Sequence, residues 1–379
     1  MTVRIFGAPL EQRRQKESPQ YPCDQVKGRL DQDRPPVRYQ RQSRHCCPNV
    51  DRKANQDDQD EYDCSPAHGS EIALSDLGAK FPSDESAITH WCAERGYRVS
   101  VQEKVGDGAL NVHWLLDVED HDHPLIFRQR GEGHWLQRGF VGEALAQSLA
   151  RQVGVLTPRV HYADRFAMLV DFVEGSAERE AVIALAHRSP AFKDTVIEQL
   201  ARLQRDTNFR FKGDDASSWL KMAIGEYCLA NTRWFAKLQQ PERAEAVMAK
   251  VHELGFDALC LSHGDFRTGN LVVKGEGLTG LLDWEFAAFR PSEADVGWLL
   301  SSPWRYSRPE MEASGLMSKE ALLEALKIHD SPRLRGWEAL ALVRWCVIAR
   351  LQDERQGKPP GTNADEAALL TEALDLVGG

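Results

Sequence analysis

Apolar and polar positions change character along the chain. Up to about residue 80 they follow no period: Gln, Arg, Asp and Pro dominate, and aliphatic side chains are sparse. From Asp84 the pattern becomes regular. DESAITHWCAERG, Asp84 to Gly96, predicts a helix with an Asp/Ser start and a Gly stop. β-prone runs follow at Arg98–Val101, Val112–Val118 and Pro124–Arg128. Val141–Val153 reads as a helix ending before Gly154, and FAMLVDFVEG, Phe166 to Gly175, as a strand running into a turn. From about Ser176 onward the spacing is helical. Val196, Leu200 and Leu203 fall on one face, and further apolar sets lie in 217–238 and 337–351. The exception is LSHGDFRTGNLVVKGEGLTGLLDWE, Leu261 to Glu285. There Leu271–Val273 and Leu278–Leu282 are apolar runs joined by Lys274–Gly277, the pattern of a β-hairpin. No internal repeat is visible. The chain is expected to be α+β: a small sheet-rich lobe over 81–175, a larger helical lobe over 176–379, and an extension over 1–80.

Composition sharpens this division. The chain has 379 residues, 42% of them hydrophobic, with a formal charge of −10. That is long enough for a sizeable core and two lobes. Residues 1–80 hold 13 Lys+Arg and 13 Asp+Glu, so the acidic surplus belongs to 81–379. A segment this poor in aliphatic residues cannot bury enough apolar surface to offset its ordering entropy, and it is expected to be disordered. No apolar run reaches the roughly 18 to 20 residues needed to span a bilayer. Trp337–Leu351 is interrupted by Glu338, Arg344 and Arg350 and reads as a buried helix. The first residues lack the apolar core of a secretory signal, so a cytoplasmic location without membrane association is expected. Nothing resembles the basic footprint of a nucleic-acid binder. Of eight cysteines, Cys260 and Cys346 sit in apolar runs and read as buried thiols. Cys23, Cys46, Cys47 and Cys64, with His45 and His68, have the residue types of a zinc site, but their spacing matches no familiar finger.

The chemistry gathers at the hairpin. The residue before its first strand and the residue after its second lie together at the open end; these are Asn270 and Asp283. Asp265 precedes Asn270 by five residues on the entering loop. Two carboxylates and a carboxamide suit Mg²⁺, which takes one or two carboxylates and completes its shell with water and substrate phosphates. Taken singly, such residues are commonly turn formers or helix caps; three at one hairpin mouth, just after His263-Gly264, point to a site. Upstream, VGDGALN, Val105 to Asn111, lies between two expected strands. Gly106 and Gly108 would let its backbone approach a phosphate, although Gly-Asp-Gly is equally a plain turn. LIFRQR, Leu125 to Arg130, carries a cation at Arg128 that could reach phosphates, and Glu143 in the next helix could hold that cation as an ion pair.

In order, these pieces form the part list of phosphoryl transfer on a two-lobed fold. HGDFRTGN followed by LLDWE resembles the aminoglycoside phosphotransferase and choline kinase-like family, with its His-Gly-Asp-x4-Asn signature, a hydrophobic strand and Asp-Trp. GALNVHW and IFRQR look like the family's small-lobe loop and strand, MLVDFVEG like its hinge, and EQLARLQ like one of its helices. The resemblance covers about 85–375. ADVGWLL, PWRYSRPE and ALVRWCVIARLQDER look closest to a bacterial branch similar to kinase-like domains associated with acyl-CoA dehydrogenases.

The resemblance implies a bilobal protein kinase-like fold and an ATP-dependent phosphotransferase. It implies Asp265 as catalytic base, Asn270 and Asp283 as catalytic Mg²⁺ ligands, and Arg128 in place of the nucleotide-binding Lys with Glu143 as its partner. Gly106, Gly108, Asp171 and Val173 are implied as further nucleotide contacts, and His263 and Asp295 as braces of the loop. The implied acceptor is a small-molecule hydroxyl, on an aminoglycoside, an amino alcohol or a hydroxyacyl-CoA-like molecule. A non-catalytic nucleotide-binding module acting through protein partners stays open as the alternative.

Overall fold

The computed structural model describes residues 84–107, 111–131, 139–206, 216–230, 233–306 and 308–378. The expected extension, the Cys/His set within it and Gly108 lie outside the described residues. Helix α1, Glu85–Ala93, begins where Asp84 accepts the Ala87 N–H at 2.8 Å. Then come strands β1 (Val99–Asp107), β2 (Asn111–Val118) and β3 (Leu125–Arg130), helix α2 (Phe140–Gln152), and strands β4 (Val160–Ala163) and β5 (Ala167–Asp171). The strands form one antiparallel sheet in the order β1-β2-β3-β5-β4.

Alternation along the central strand β3 decides what each helix meets. Leu125 and Phe127 point to the face where Leu116 packs with Ile88, Trp91 and Cys92 of α1. Ile126 points the other way, onto Phe140 and Ala144 of α2, with Met168 and Val170 of β5. Arg128 shares the parity of Ile126, so it projects toward α2. In register it faces His113 of β2 on one side and Met168 of β5 on the other.

The remainder is mainly helical: α3 (Arg179–Arg188), α4 (Pro190–Asp206), α5 (Ala216–Tyr227) and α6 (Pro241–Leu254). Strands β6 (Leu259–Ser262), β7 (Leu271–Lys274), β8 (Gly277–Leu281) and β9 (Ala288–Pro291) follow, then α7 (Glu293–Leu300), α8 (Lys319–Leu326), α9 (Pro332–Arg355) and α10 (Glu366–Leu376). The expected hairpin is present as β7–β8, with Leu271 opposite Leu281. One core packs α3, α4 and α8 around this hairpin. A second packs α5, α6 and α10 around α9.

The helical expectation after Ser176 omits β6 and β9, which pair antiparallel with each other. Each has four residues, too few to show a period. The apolar set in 217–238 is not one helix: α5 ends at Tyr227, Leu229 turns at φ +60°, and among the described residues of the set a 3-10 turn follows at Phe235–Lys237. Sheet and hairpin are tied by the chain leaving β5. Ser176 N–H donates to Val273 O at 2.8 Å, and Val273 N–H donates back to Ser176 O at 2.9 Å. Gly175 permits this approach, since a Cβ there would stand 2.5 Å from Val273 O. No helix among the described residues is long and apolar enough to cross a membrane.

Candidate active site

The hairpin mouth brings Asn270 and Asp283 together. Leu282 N–H donates to Asn270 O at 2.9 Å, which places the next residue, Asp283, beside Asn270. Asp283 adopts φ +62°, a left-handed conformation that Asp tolerates, and this turns the chain out of β8. Trp284 then drops into the core at 1% exposure and packs edge-on against the His263 ring, 4.5 Å between centroids.

Asp265 is 8% exposed and held from three sides. Its Oδ1 accepts from Trp298 Nε1 at 2.8 Å and from Arg267 Nε at 3.0 Å. Its Oδ2 accepts from Asn270 Nδ2 at 2.8 Å, and the same amide donates to Asp265 O at 2.8 Å. Because Asn270 directs its amide nitrogen at Asp265, its Oδ1 is the atom that would face a cation. Against burial, which would lower it, Asp265 holds the Arg267 pKa above its usual value, so the guanidinium stays charged. Arg267 also lies over the Trp304 ring at 4.7 Å.

The loop carrying Asp265 is braced from behind. Asp295, near the start of α7, accepts from Ser262 Oγ at 3.0 Å, His263 N at 2.7 Å and Gly264 N at 2.8 Å. Gly264 has φ +78° and lies so close to Phe286 O that a Cβ would collide with it. From α9, Arg344 donates to Gly264 O and rests against the Phe286, Trp298 and Tyr227 rings. His263 spans the loop: Nε2 lies 2.9 Å from Leu282 O, and Nδ1 accepts the Asp265 N–H at 3.1 Å.

From the sheet, Arg128 reaches this mouth with every nitrogen engaged. Nε donates to His113 Nε2 at 3.1 Å, one terminal nitrogen to Glu143 Oε1, and the other to Asp283 Oδ1 at 3.4 Å. Burial alone would lower its pKa. Glu143 first, then Asp283 and Glu285, outweigh that, and the guanidinium stays charged. Asn111, at the start of β2, donates from Nδ2 to Glu285 Oε2 at 2.9 Å. Poor solvation, with the Asp283 and Glu143 carboxylates close by, pushes the Glu285 pKa well above the ordinary carboxylate range.

Asp265, Asn270, Asp283, Arg128 and Glu143 thus converge. Asp171 and Val173 stand apart from that cluster. Asp171 Oδ1 lies 2.6 Å from His161 Nε2, and its Oδ2 accepts the Arg159 N–H at 3.2 Å. Val173 packs over Gly280, where a Cβ would come within 2.8 Å of Val173 Cγ1. Gly106, near the end of β1, pairs in register with His113. Arg267, Trp298, Asn111 and Glu285 are further members that the sequence does not single out. All four lie inside motifs quoted for their neighbours. Nothing local marks Trp298 in particular, because it reaches Asp265 only through the fold.

The family model described as "Phosphotransferase enzyme family" matches residues 101–343. No curated protein matches in sequence. Among solved structures, aminoglycoside phosphotransferase APH(4)-Ia is 15% identical, with 77% of this chain and 98% of that chain covered and a TM-score of 0.50. A thermostable mutant of that enzyme, in ternary complex with AMP-PNP and hygromycin B, is 14% identical, with the same coverage and a TM-score of 0.51. A choline/ethanolamine kinase family protein from Mesorhizobium loti is 16% identical, with 81% and 95% covered and a TM-score of 0.48. Matched over more than half its length, and folded as a sheet lobe on a helical lobe around His263–Asn270 and Asp283, this chain belongs to the phosphotransferase enzyme family.

Proposed function

We propose that the protein transfers the γ-phosphoryl group of MgATP to a hydroxyl of a small molecule. The observation that carries this reading is the convergence of Asp265, Asn270 and Asp283 at one hairpin mouth, with the charged Arg128 fixed against Asp283.

The donors fit Mg²⁺. Asn270 Oδ1 and the Asp283 carboxylate are hard oxygen ligands. Among the described residues no cluster of three or more His, Cys, Asp or Glu side chains forms a metal cage. That matches an ion bound through one or two protein ligands and completed by phosphates and water. When bound, Mg²⁺ would offset charge on the transferring phosphoryl group.

The chain's own residues do the rest. Arg128, Gly106 and Gly108 serve the phosphate side, and the segment from Asp171 to Val173 serves the nucleotide base. Asp265 has Oδ1 taken by two donors, Trp298 and Arg267, and Oδ2 by one, Asn270, so Oδ2 is the less encumbered oxygen and the one assigned to the acceptor proton. As the acceptor oxygen bonds to the γ-phosphorus, the bond to the β–γ bridging oxygen breaks and the hydroxyl proton passes to Asp265. Positioning and fixed charge account for most of the rate in such transfers. Candidate acceptors are an aminoglycoside, an amino alcohol or a hydroxyacyl-CoA-like molecule. The AMP-PNP and hygromycin B held by a solved protein of the same fold accord with a nucleotide and a hydroxylated acceptor.

The test is transfer from γ-labelled ATP with Mg²⁺ across those acceptor classes. Asp265→Asn is expected to bind ATP within a few-fold of the parent and lose transfer by about 10²-fold or more. Asp283→Ala is expected to lose metal-dependent nucleotide binding. Undiminished transfer by either variant would refute these roles.

A further inference from the structure

Among the groups the reaction scheme leaves unused, the pair Asn111–Glu285 stands out. Asn111 is 4% exposed at the start of β2 and lies opposite Arg130 in register. Glu285 lies two residues past Asp283. Their 2.9 Å hydrogen bond joins residues 174 apart in sequence.

A second hydrogen bond among the described residues joins the same pieces of structure. Arg128 of β3 donates to Asp283 at 3.4 Å, and Arg128 pairs in register with His113, two residues along β2 from Asn111. Residues two apart on a strand share a face, so Asn111 and His113 project to the same side of the sheet. Trp284 anchors the middle of the Asp283–Glu285 segment in the helical core, which leaves the two flanking carboxylates to be placed against the sheet. The two links, one at each residue, tie those carboxylates to β3 and β2. Glu285 also stands near Asp283 and Glu143, and the Asn111 N–H gives its carboxyl group a fixed partner there.

We propose that Asn111 is a positioning residue. Through Glu285 it locks the start of β2 to the segment bearing Asp283, so that nucleotide phosphates and the metal ligand meet in fixed register. This rests on the phosphotransferase reading above.

The probe is ADP, titrated into the full-length protein by calorimetry with and without Mg²⁺. Asn111→Ala is expected to leave metal-free ADP affinity within about twofold and to cut the Mg²⁺-dependent gain by about tenfold, the size of one lost hydrogen bond to a carboxylate. A general structural role would weaken both titrations alike, and that result overturns the proposal. The double variant Asn111→Asp with Glu285→Gln keeps one carboxylate and one donor in exchanged places, and is expected to restore most of the gain. If Asn111→Ala does not fold, the exchanged pair decides alone: a gain within about threefold of the parent upholds the link, a larger loss overturns it. An unchanged gain in Asn111→Ala also overturns it. A parent protein that binds no ADP, with or without Mg²⁺, would instead overturn the phosphotransferase reading.

Discussion

His263 must stay neutral to do what it does. Its Nδ1 accepts the Asp265 N–H, which requires an unprotonated nitrogen, so the ring proton sits on Nε2 and donates to Leu282 O. Burial, acting against the pull of Asp295 and Asp265, lowers its pKa from the ordinary 6.5. Protonation therefore favours the unfolded chain. The stabilisation is complete above about pH 6.5 and is lost as pH falls through the window beneath it. Between pH 7.5 and 5.5 the melting temperature of His263→Gln is expected to fall less than that of the parent. Equal falls would refute the linkage. In the sequence, His263, Asp265, Asn270 and Asp283 stand out because their spacing is local. Trp298 and Arg344, which hold the same loop, come from α7 and α9 and have no local pattern to mark them as its supports.

Among elements, glycine separates packing from propensity. Gly297 of α7 lies where α9 crosses, and an added Cβ would stand 2.6 Å from Trp337 C and Glu338 N. These are backbone atoms of a buried helix and cannot step aside. Gly297→Ala is expected to cost about 1–3 kcal/mol in urea unfolding. At Gly142 of α2 an added Cβ would meet nothing within 4 Å. There Gly→Ala should stabilise by up to about 1 kcal/mol, since only backbone entropy changes. A destabilised Gly142→Ala would contradict that open space. The same contrast explains which elements are legible. β2, β3, α2 and α4 carry their period within themselves. β6 and β9 exist because they pair with each other, from Leu259 opposite Pro291 to Ser262 opposite Ala288. The whole hairpin and its turns lie between the two strands, so no short window contains both.

For the molecule as a whole, burial decides the behaviour of its thiols. Cys92, Cys228, Cys260 and Cys346 are all buried and free. Burial pushes the Cys92 and Cys228 thiols up to about 12 and raises Cys260 and Cys346 as well. Thiolate is the reactive form, so alkylation at pH 8 should spare these four in the native protein and reach them after unfolding. Peptide-level mass spectrometry before and after denaturation checks this, and fast native labelling of any of the four would contradict the packing. Cys260 and Cys346 are readable as buried from their apolar runs. Cys92 and Cys228 are not, because their burial depends on the sheet beneath α1 and on α9 behind α5.

Local order along the chain was enough for the α+β class, the β7–β8 hairpin and the grouping of Asp265, Asn270 and Asp283, because each depends on residues close in sequence. Parity along β3 likewise settled that Arg128 shares a face with Ile126. Long-range packing settled the rest. It brought Arg128 and Glu143 to Asp283, set Trp298 and Arg344 around the Asp265 loop, and joined Asn111 to Glu285. Those contacts form only when distant segments lose their closure entropy together, and no local period encodes them.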